Sequence, residues 1–339
     1  MIQMRNVYFL LKINRYIKSV RLKNLGIFFI HLLGKRYIGV FLDPVYACNL
    51  RCRMCYFSDD EKRKTLPHGM FKKEDLSCLA DAFFYRALKL QIGCGAEPSL
   101  FPYNKEIIRL GKEKKVPYIS MTTNANLYKE KEWRELVAAG LDEITLSLHG
   151  IARQTYEYFM TGASYEAFHS SLRILTDLKK EYPDFKLRIN YTVNKDNLQE
   201  LAFFFETFGN YRFDILQIRP IQQLGNTAYN DFSWDAIYAQ YDSIIEKLKA
   251  ECLQNHIIFI APGKYDLVKT ENTDDALTDS TYIYISPRTC WKEDFNLRTD
   301  TYDLYAKRNH LGRKLLAKVF QRGKNALNTK KRLNYEIRM

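Results

Sequence analysis

No stretch of this 339-residue chain supplies the ~20 consecutive apolar residues that a membrane-spanning helix needs. The most apolar early stretch, Gly26 to Leu33, is short and broken by His31. The N-terminus lacks the ordered charged stub, apolar core and small-residue cleavage site of a secretory signal, so a cytoplasmic location is expected. Internal repeats, low-complexity tracts and recognisable RNA-binding motifs are also missing. Acidic side chains are absent from residues 1–37, which carry eight Lys/Arg, and residues 305–339 set eleven Lys/Arg against Glu336 alone. With a total net charge of +13, the two ends account for +8 and +10, leaving about −5 for residues 38–304. The basicity therefore excludes nothing about catalysis. It suits an acidic counterpart, such as an anionic membrane surface contacted peripherally, RNA or a partner protein, with no DNA expected. The seven cysteines are an odd number with three inside eight residues, which argues against a disulfide framework and for a metal or catalytic use in a reducing compartment.

What is present is ordinary globular material, 46% hydrophobic and 27% charged. The 24 Tyr and 21 Phe are read chiefly as packing residues. From residue 38, short β-branched runs alternate with helical patterns. The strands are expected at Ile38–Leu42, Ala87–Ile92, Tyr118–Thr122, Glu143–Ser147, Lys186–Val193 and Ile215–Ile218. The helices are expected at Lys72–Phe84, Lys105–Lys114, Glu130–Ala139, Tyr165–Lys180 and Leu198–Phe208. Asn197 and Glu200 have the spacing of a capping box, and Gly140 that of a helix stop. Six strand–helix units imply a parallel sheet curled by right-handed crossovers. The fold class is therefore α/β, a partial (β/α)6 TIM-type barrel with helical N- and C-terminal extensions. Four segments are expected: a basic amphipathic helical extension over 1–37, the barrel over 38–225, a C-terminal subdomain over 226–304 and a basic helix over 305–339. Within them, Trp234–Glu251 reads as a helix, Ile257–Ile260 as a strand, Gly263 to Ser280 as a loop and 281–304 as a hairpin-like unit. The N-terminal extension reads either as a lid with a solvated basic face or as a membrane foot.

Chemistry in such a barrel collects in the loops after the strands. The first of these carries Cys48, Cys52 and Cys55, spaced C-x3-C-x2-C. Three thiolates on one tight loop each take one iron of a cubane and leave the fourth open to a ligand. A structural zinc site wants four ligands, usually from paired C-x2-C motifs, and no second C-x2-C exists here. A distant Cys or His would have to complete it.

The segment resembles the radical S-adenosylmethionine (SAM) superfamily, whose motif is C-x3-C-x-Φ-C, with Met54 at the Φ position. The resemblance covers roughly residues 38–225. It implies a [4Fe-4S] cluster on Cys48, Cys52 and Cys55, with SAM chelating the open iron. Reductive cleavage of SAM to a 5′-deoxyadenosyl radical, which abstracts hydrogen from a substrate, follows from the same resemblance. A small reductant protein of the flavodoxin or ferredoxin type is implied as electron donor.

Further strand ends match in order. Gly93-Cys94-Gly95-Ala96-Glu97-Pro98 is similar to the family's GGEP motif, placing Gly95, Ala96, Glu97 and Pro98 at the SAM amino group. Ala96 replaces a glycine, which is tolerable where no positive φ is required. Thr122-Thr123-Asn124-Ala125 resembles the T-N-G motif, with Asn124 toward SAM or simply closing a turn. Ser147 matches S-x-D-G, but His149 replaces the acid, leaving it a proton donor to substrate or a histidine satisfied by local hydrogen bonds. Asn190 and Thr192, with Asn194 on the same face, and Arg219 are implied at the ribose, carboxylate or adenine, and Tyr56 flanks the cluster loop. The barrel resembles that of SPASM/twitch-type relatives. With only Cys252 and Cys290 beyond the barrel, the extension is expected to be degenerate and without an auxiliary cluster. Cys78 and Cys94 read as structural. The substrate expectation is a peptide or protein side chain or a sugar-type metabolite. An enzyme acting on RNA and a non-catalytic metal-binding scaffold are the alternatives.

Overall fold

The computed structural model describes residues 17, 19–65, 69–221, 227, 229, 233–264, 267 and 278–320. Among them, nine strands form one sheet: β1 (Ile38–Leu42), β2 (Ala87–Ile92), β3 (Ile119–Thr123), β4 (Glu143–Leu148), β5 (Lys186–Val193), β6 (Ile215–Pro220), β7 (Ile258–Ile260), β8 (Tyr282–Ser286) and β9 (Thr289–Cys290). Their spatial order is β7-β6-β5-β4-β3-β2-β1-β8-β9, so the sheet is an unclosed barrel. All neighbours are parallel except β8 and β9, which form a hairpin.

Alternation divides the strands into two chemistries. Leu90, Ile92, Ile119, Met121, Ile144, Leu146, Leu187 and Ile189 are fully buried beneath the crossover helices. The other face is polar. In register, Thr145 sits opposite Arg188 and Ser147 opposite Asn190. Deep in the barrel Arg188 pairs with Glu143 at 2.9 Å and donates to Gln217 at 2.9 Å. Gln91 accepts from Ser120 at 2.7 Å and donates to Thr122 at 2.8 Å. These polar groups satisfy one another low in the barrel, and the cavity opens above them.

The crossover helices are Asn104–Glu113, Glu130–Ala138 and Tyr165–Glu181, with Asp235–Gln254 covering the β6–β7 edge. Gly140, at φ +102°, ends the second of these as the sequence predicts. The expected helix over 72–84 begins instead at Asp75, whose carboxylate accepts from Lys72 N at 3.1 Å, and passes into a π turn at Ala80–Phe84. The expected helix over 198–208 divides into a 3-10 turn, Gln199–Phe203, and a short α-helix, Phe204–Phe208. Its capping box does not form. Asn197 accepts from Asn194 N at 2.7 Å and donates to the carbonyls of His149 and Thr192 at 2.9 Å. Glu200 accepts from Ile151 N at 2.7 Å and from the Thr155 hydroxyl. Long-range donors outcompete the local cap.

The hairpin expected within 281–304 is present as β8–β9, and β8 also lies parallel beside β1, pairing Gly39 with Tyr282. Helix Val20–Leu32 packs against helix Leu311–Phe320. The basic C-terminal helix is interrupted: Tyr302–Arg308 and Leu311–Phe320 are separated at His310, whose φ is +51°. Residues 1–16, 321–339 and most of the expected loop over 263–280 lie outside the described residues. Arg86, just before β2, joins both terminal segments to the barrel. It donates to Asp303 at 2.8 Å and to the carbonyls of Lys35 and His31 at 2.8 and 3.0 Å.

Candidate active site

The cysteine loop leaves the carboxyl end of β1 at Asp43, which is fully buried. The Asp43 carboxylate accepts from Cys94 N at 2.6 Å, from Gly95 N at 2.9 Å and from the Tyr284 hydroxyl at 2.7 Å. One side chain thus fixes the loop after β2 and ties it to β8. Burial raises its carboxyl above the ordinary range, against the donors that lower it. The far arm of the cysteine loop is held by backbone bonds, Arg51 N to Thr161 O and Arg53 N to Phe159 O, each 2.9 Å. Cys55 N bonds Cys52 O at 2.9 Å, closing the turn between two of the thiols.

Burial, reinforced by the nearby Glu97 charge, pushes the Cys48 thiol up to about 12. Cys52 is raised by burial and then by Cys55 and Cys48. Such thiols stay neutral until a cation is supplied, and a bound metal deprotonates them outright. Among the described residues no three His, Cys, Asp or Glu side chains converge on a single ion.

The second loop contains the residues expected to face SAM. Gly93 has φ +76°, and a Cβ there would lie 2.4 Å from Thr122 O and 2.7 Å from Pro98. Glycine is needed for both reasons. Ala96 is not among the positive-φ residues, which is why alanine is tolerated there. Glu97, 3% exposed, accepts from Ser99 N at 3.0 Å, Ser99 Oγ at 2.6 Å, Thr123 Oγ1 at 2.6 Å and Asn124 N at 2.8 Å. Its carboxylate braces the β2 loop to the β3 loop. Burial raises it, opposed by those four bonds. Asn124 donates to Asn49 Oδ1 at 2.8 Å and accepts from Asn126 N at 3.0 Å, joining the β3 loop to the cysteine loop. Ala125 sits at φ +61°, the left-handed conformation for which glycine is suited. Tyr56, buried, donates to Gly95 O.

One cavity brings together Cys48, Cys52, Cys55, Tyr56, Gly95, Ala96, Glu97, Asn124, Ser147, His149, Asn190, Thr192 and Arg219. Pro98 lies just outside it, packed at Gly93, and its carbonyl accepts from Asn104 Nδ2 at 2.6 Å. Asn194 is not in the cavity. It is fully buried, with its amide 3.9 Å from the Met54 sulfur. Cys94 lines the cavity wall with its thiol on Gln91 O at 3.7 Å, while Cys78 is half-buried on its helix. Cys252 is buried on the helix Asp235–Gln254 and Cys290 lies on β9.

His149 departs from the local-hydrogen-bond expectation: its Nδ1 is buried without a partner, and burial lowers its pKa to about 4. It is a neutral imidazole at neutral pH, able to donate or accept one hydrogen bond but not to act as a standing cation. Asn190 Oδ1 is likewise buried and unpartnered. Two orphaned polar atoms in one cavity are a demand for a polar ligand. Asp43, Asn49, Thr123 and Tyr284 escaped the sequence reading. Asp43 was visible as an acid at a strand end, but Tyr284 reaches the site from a strand more than 240 positions away.

The layout is that of a parallel barrel with three thiols on one strand-end loop lining a polar cavity. Residues 42–205 match the model of the Radical SAM superfamily, and this segment of the chain belongs to it. The superfamily uses a [4Fe-4S] cluster and SAM; the three thiols and the two orphaned polar atoms fit that pair. The chain is 29% identical over 194 residues to a probable GTP 3′,8-cyclase of Saccharolobus islandicus, covering 55% of this chain and 58% of that relative. It therefore spans little more than half the length of the cyclases it matches. It is 27% identical over 245 residues to an S-adenosylmethionine-dependent nucleotide dehydratase of Flammeovirga pacifica, covering 71% of this chain and 77% of that relative. The fold is similar to the crystal structure of Streptococcus suis SuiB bound to S-adenosylmethionine, with TM-score 0.56 and 15% identity over 74% of this chain and 58% of that one. No helix among the described residues is long and apolar enough to cross a membrane.

Proposed function

We propose that this chain is a radical SAM enzyme whose substrate is a small, polar, nucleotide-class molecule. The observation that supports it best is the single cavity shared by the three cluster thiols and the polar ends of β2 to β6. The cluster and SAM, when bound, supply reductive C–S cleavage and a 5′-deoxyadenosyl radical that takes hydrogen from substrate. Cys48, Cys52 and Cys55 hold the metal. Asp43 and Glu97 fix the two loops above it, so that the backbone of Gly95 and Ala96 meets the ligand in one geometry. Asn190, His149, Thr192 and Arg219 orient the polar parts of the ligand, and Met54, Met160 and Ile221 keep water from the cavity wall. A ferredoxin- or flavodoxin-type protein supplies the electron. Residues 38–225 are read as the catalytic barrel, with 226–304 adding its edge strands.

The nucleotide class rests on the names of the two sequence relatives and on a polar barrel interior. It is preferred to the peptide side chain or sugar expected from sequence, since the likeness to a protein bound to a precursor peptide is one of fold alone. The test is anaerobic reconstitution with iron and sulfide, then dithionite and SAM, reading 5′-deoxyadenosine with and without nucleoside triphosphates. Product is expected from the native chain and none from Cys52→Ala, because two thiolates do not hold the cubane. Cleavage persisting in Cys52→Ala sinks the cluster assignment. Four irons bound with no deoxyadenosine under any nucleotide supports a scaffold instead. Cleavage stimulated by a peptide or RNA but by no nucleotide overturns the substrate class.

A further inference from the structure

At the amino ends of the strands, opposite the cysteine loop, the helix Val20–Leu32 presents an unexpected face. The lid reading places solvated lysines and arginines outward. Alongside the exposed Arg21, Leu22, Phe29, Leu32 and Leu33 are 54%, 53%, 61% and 69% exposed. Their spacing of 7, 10 and 11 residues from Leu22 puts them on one side of a 3.6-residue helix. Asn24 and Ile27, on the other side, are buried. Phe320, at the end of the neighbouring helix, is 72% exposed.

Beside this stripe lies a cavity of about 460 Å³ lined by His31, Arg86, Asp303, Lys307, His310 and Arg313, with apolar side chains between them. Its one acid, Asp303, is taken by Arg86. Lys307 and Arg313 have no carboxylate partner among the described residues, and the chain holds no acid before Asp43. An apolar ridge next to uncompensated cations, with no acid on the helix, has the form of an interfacial membrane contact. A phosphate headgroup neutralises the cavity while the acyl region covers the ridge.

We propose that this face docks on a bilayer containing anionic phospholipid, with Leu22, Phe29, Leu32 and Leu33 in the interface and a lipid phosphate between Lys307 and Arg313. The cavity above the cluster loop then faces away from the membrane, open to a reductant and substrate. The inference is independent of the reaction assigned above, because it reads vesicle binding and not turnover.

The test is flotation of the full-length chain with vesicles of phosphatidylcholine alone or with about one third phosphatidylglycerol. Retention is expected on the anionic vesicles only, weakening as salt rises, since screening shortens the reach of the lysines and arginines. Phe29→Glu combined with Leu33→Glu is expected to reduce retention at least about tenfold, and Lys307→Glu combined with Arg313→Glu by about as much. All four positions are surface ones, so melting temperature is expected to hold, and it is measured alongside. No retention on anionic vesicles overturns the proposal, as does native-like retention of both double variants. So does retention of RNA in place of vesicles. A dimer that Phe29→Glu with Leu33→Glu converts to monomer, without vesicle binding, assigns the face to a second copy and overturns it equally.

Discussion

Glu97 illustrates how a motif residue works through its neighbours. The sequence suggested a carboxylate waiting for an ammonium; in the structure its oxygens already hold four protein donors. Glu97→Gln places an N–H₂ against at least one of those donors, with an expected loss of about 1–3 kcal/mol in urea unfolding and weakened SAM binding by calorimetry. Native-like stability of that variant would show that the brace is dispensable. Gly93 is sharper still. A methyl group there meets Thr122 O at 2.4 Å in a left-handed backbone, so Gly93→Ala is expected to cost about 2–4 kcal/mol. Denaturant midpoints check this, and an unchanged midpoint would mean that the loop is free to rearrange.

Elements depend on single ties as much as on burial. Arg86 anchors the helix Val20–Leu32 through the carbonyls of Lys35 and His31, and the helix Tyr302–Arg308 through Asp303. Arg86→Met keeps the apolar stem and removes all three bonds. An expected loss of about 2–4 kcal/mol follows, since charged hydrogen bonds from a buried guanidinium are stronger than neutral ones. Hydrogen exchange should show faster exchange of the Val20–Leu32 amides with the β4–β5 amides unchanged. Uniform acceleration across the sheet would instead make Arg86 part of the global core.

On the scale of the whole molecule, His149 gives stability a pH dependence. Its folded pKa of about 4 lies below the ordinary 6.5. Above 6.5 the folded and unfolded chains both hold it neutral. Between 6.5 and about 4 only the unfolded chain takes the proton, so stability falls as pH drops through that window. His149→Gln is expected to flatten this part of the stability–pH curve; an identical slope in the variant would assign it to other groups. Loading the cluster and SAM acts in the opposite sense. Ligands that bind only the folded chain raise its melting temperature with concentration, which thermal scans of the reconstituted protein can follow.

The barrel's central rhythm and its cysteine loop were readable in the local order of residues. β1, β2 and β5 begin and end where the β-branched runs do, because a strand buried beneath a helix shows its apolar residues locally. The three cysteines, Gly95, Asn124, Ser147, His149, Asn190, Thr192 and Arg219 were legible because each lies at the carboxyl end of such a strand. The partners of those residues came from the assembled fold. It gave Glu97 and Glu200 to distant donors, left His149 without one, and brought Tyr284 to Asp43 by laying β8 against β1. It also turned the leucines of the N-terminal helix outward. A strand's hydrophobic pattern is written in neighbouring positions. A hydrogen-bond partner, and the choice of which helix face is covered, depend on segments tens to hundreds of residues apart and are fixed only when the sheet assembles.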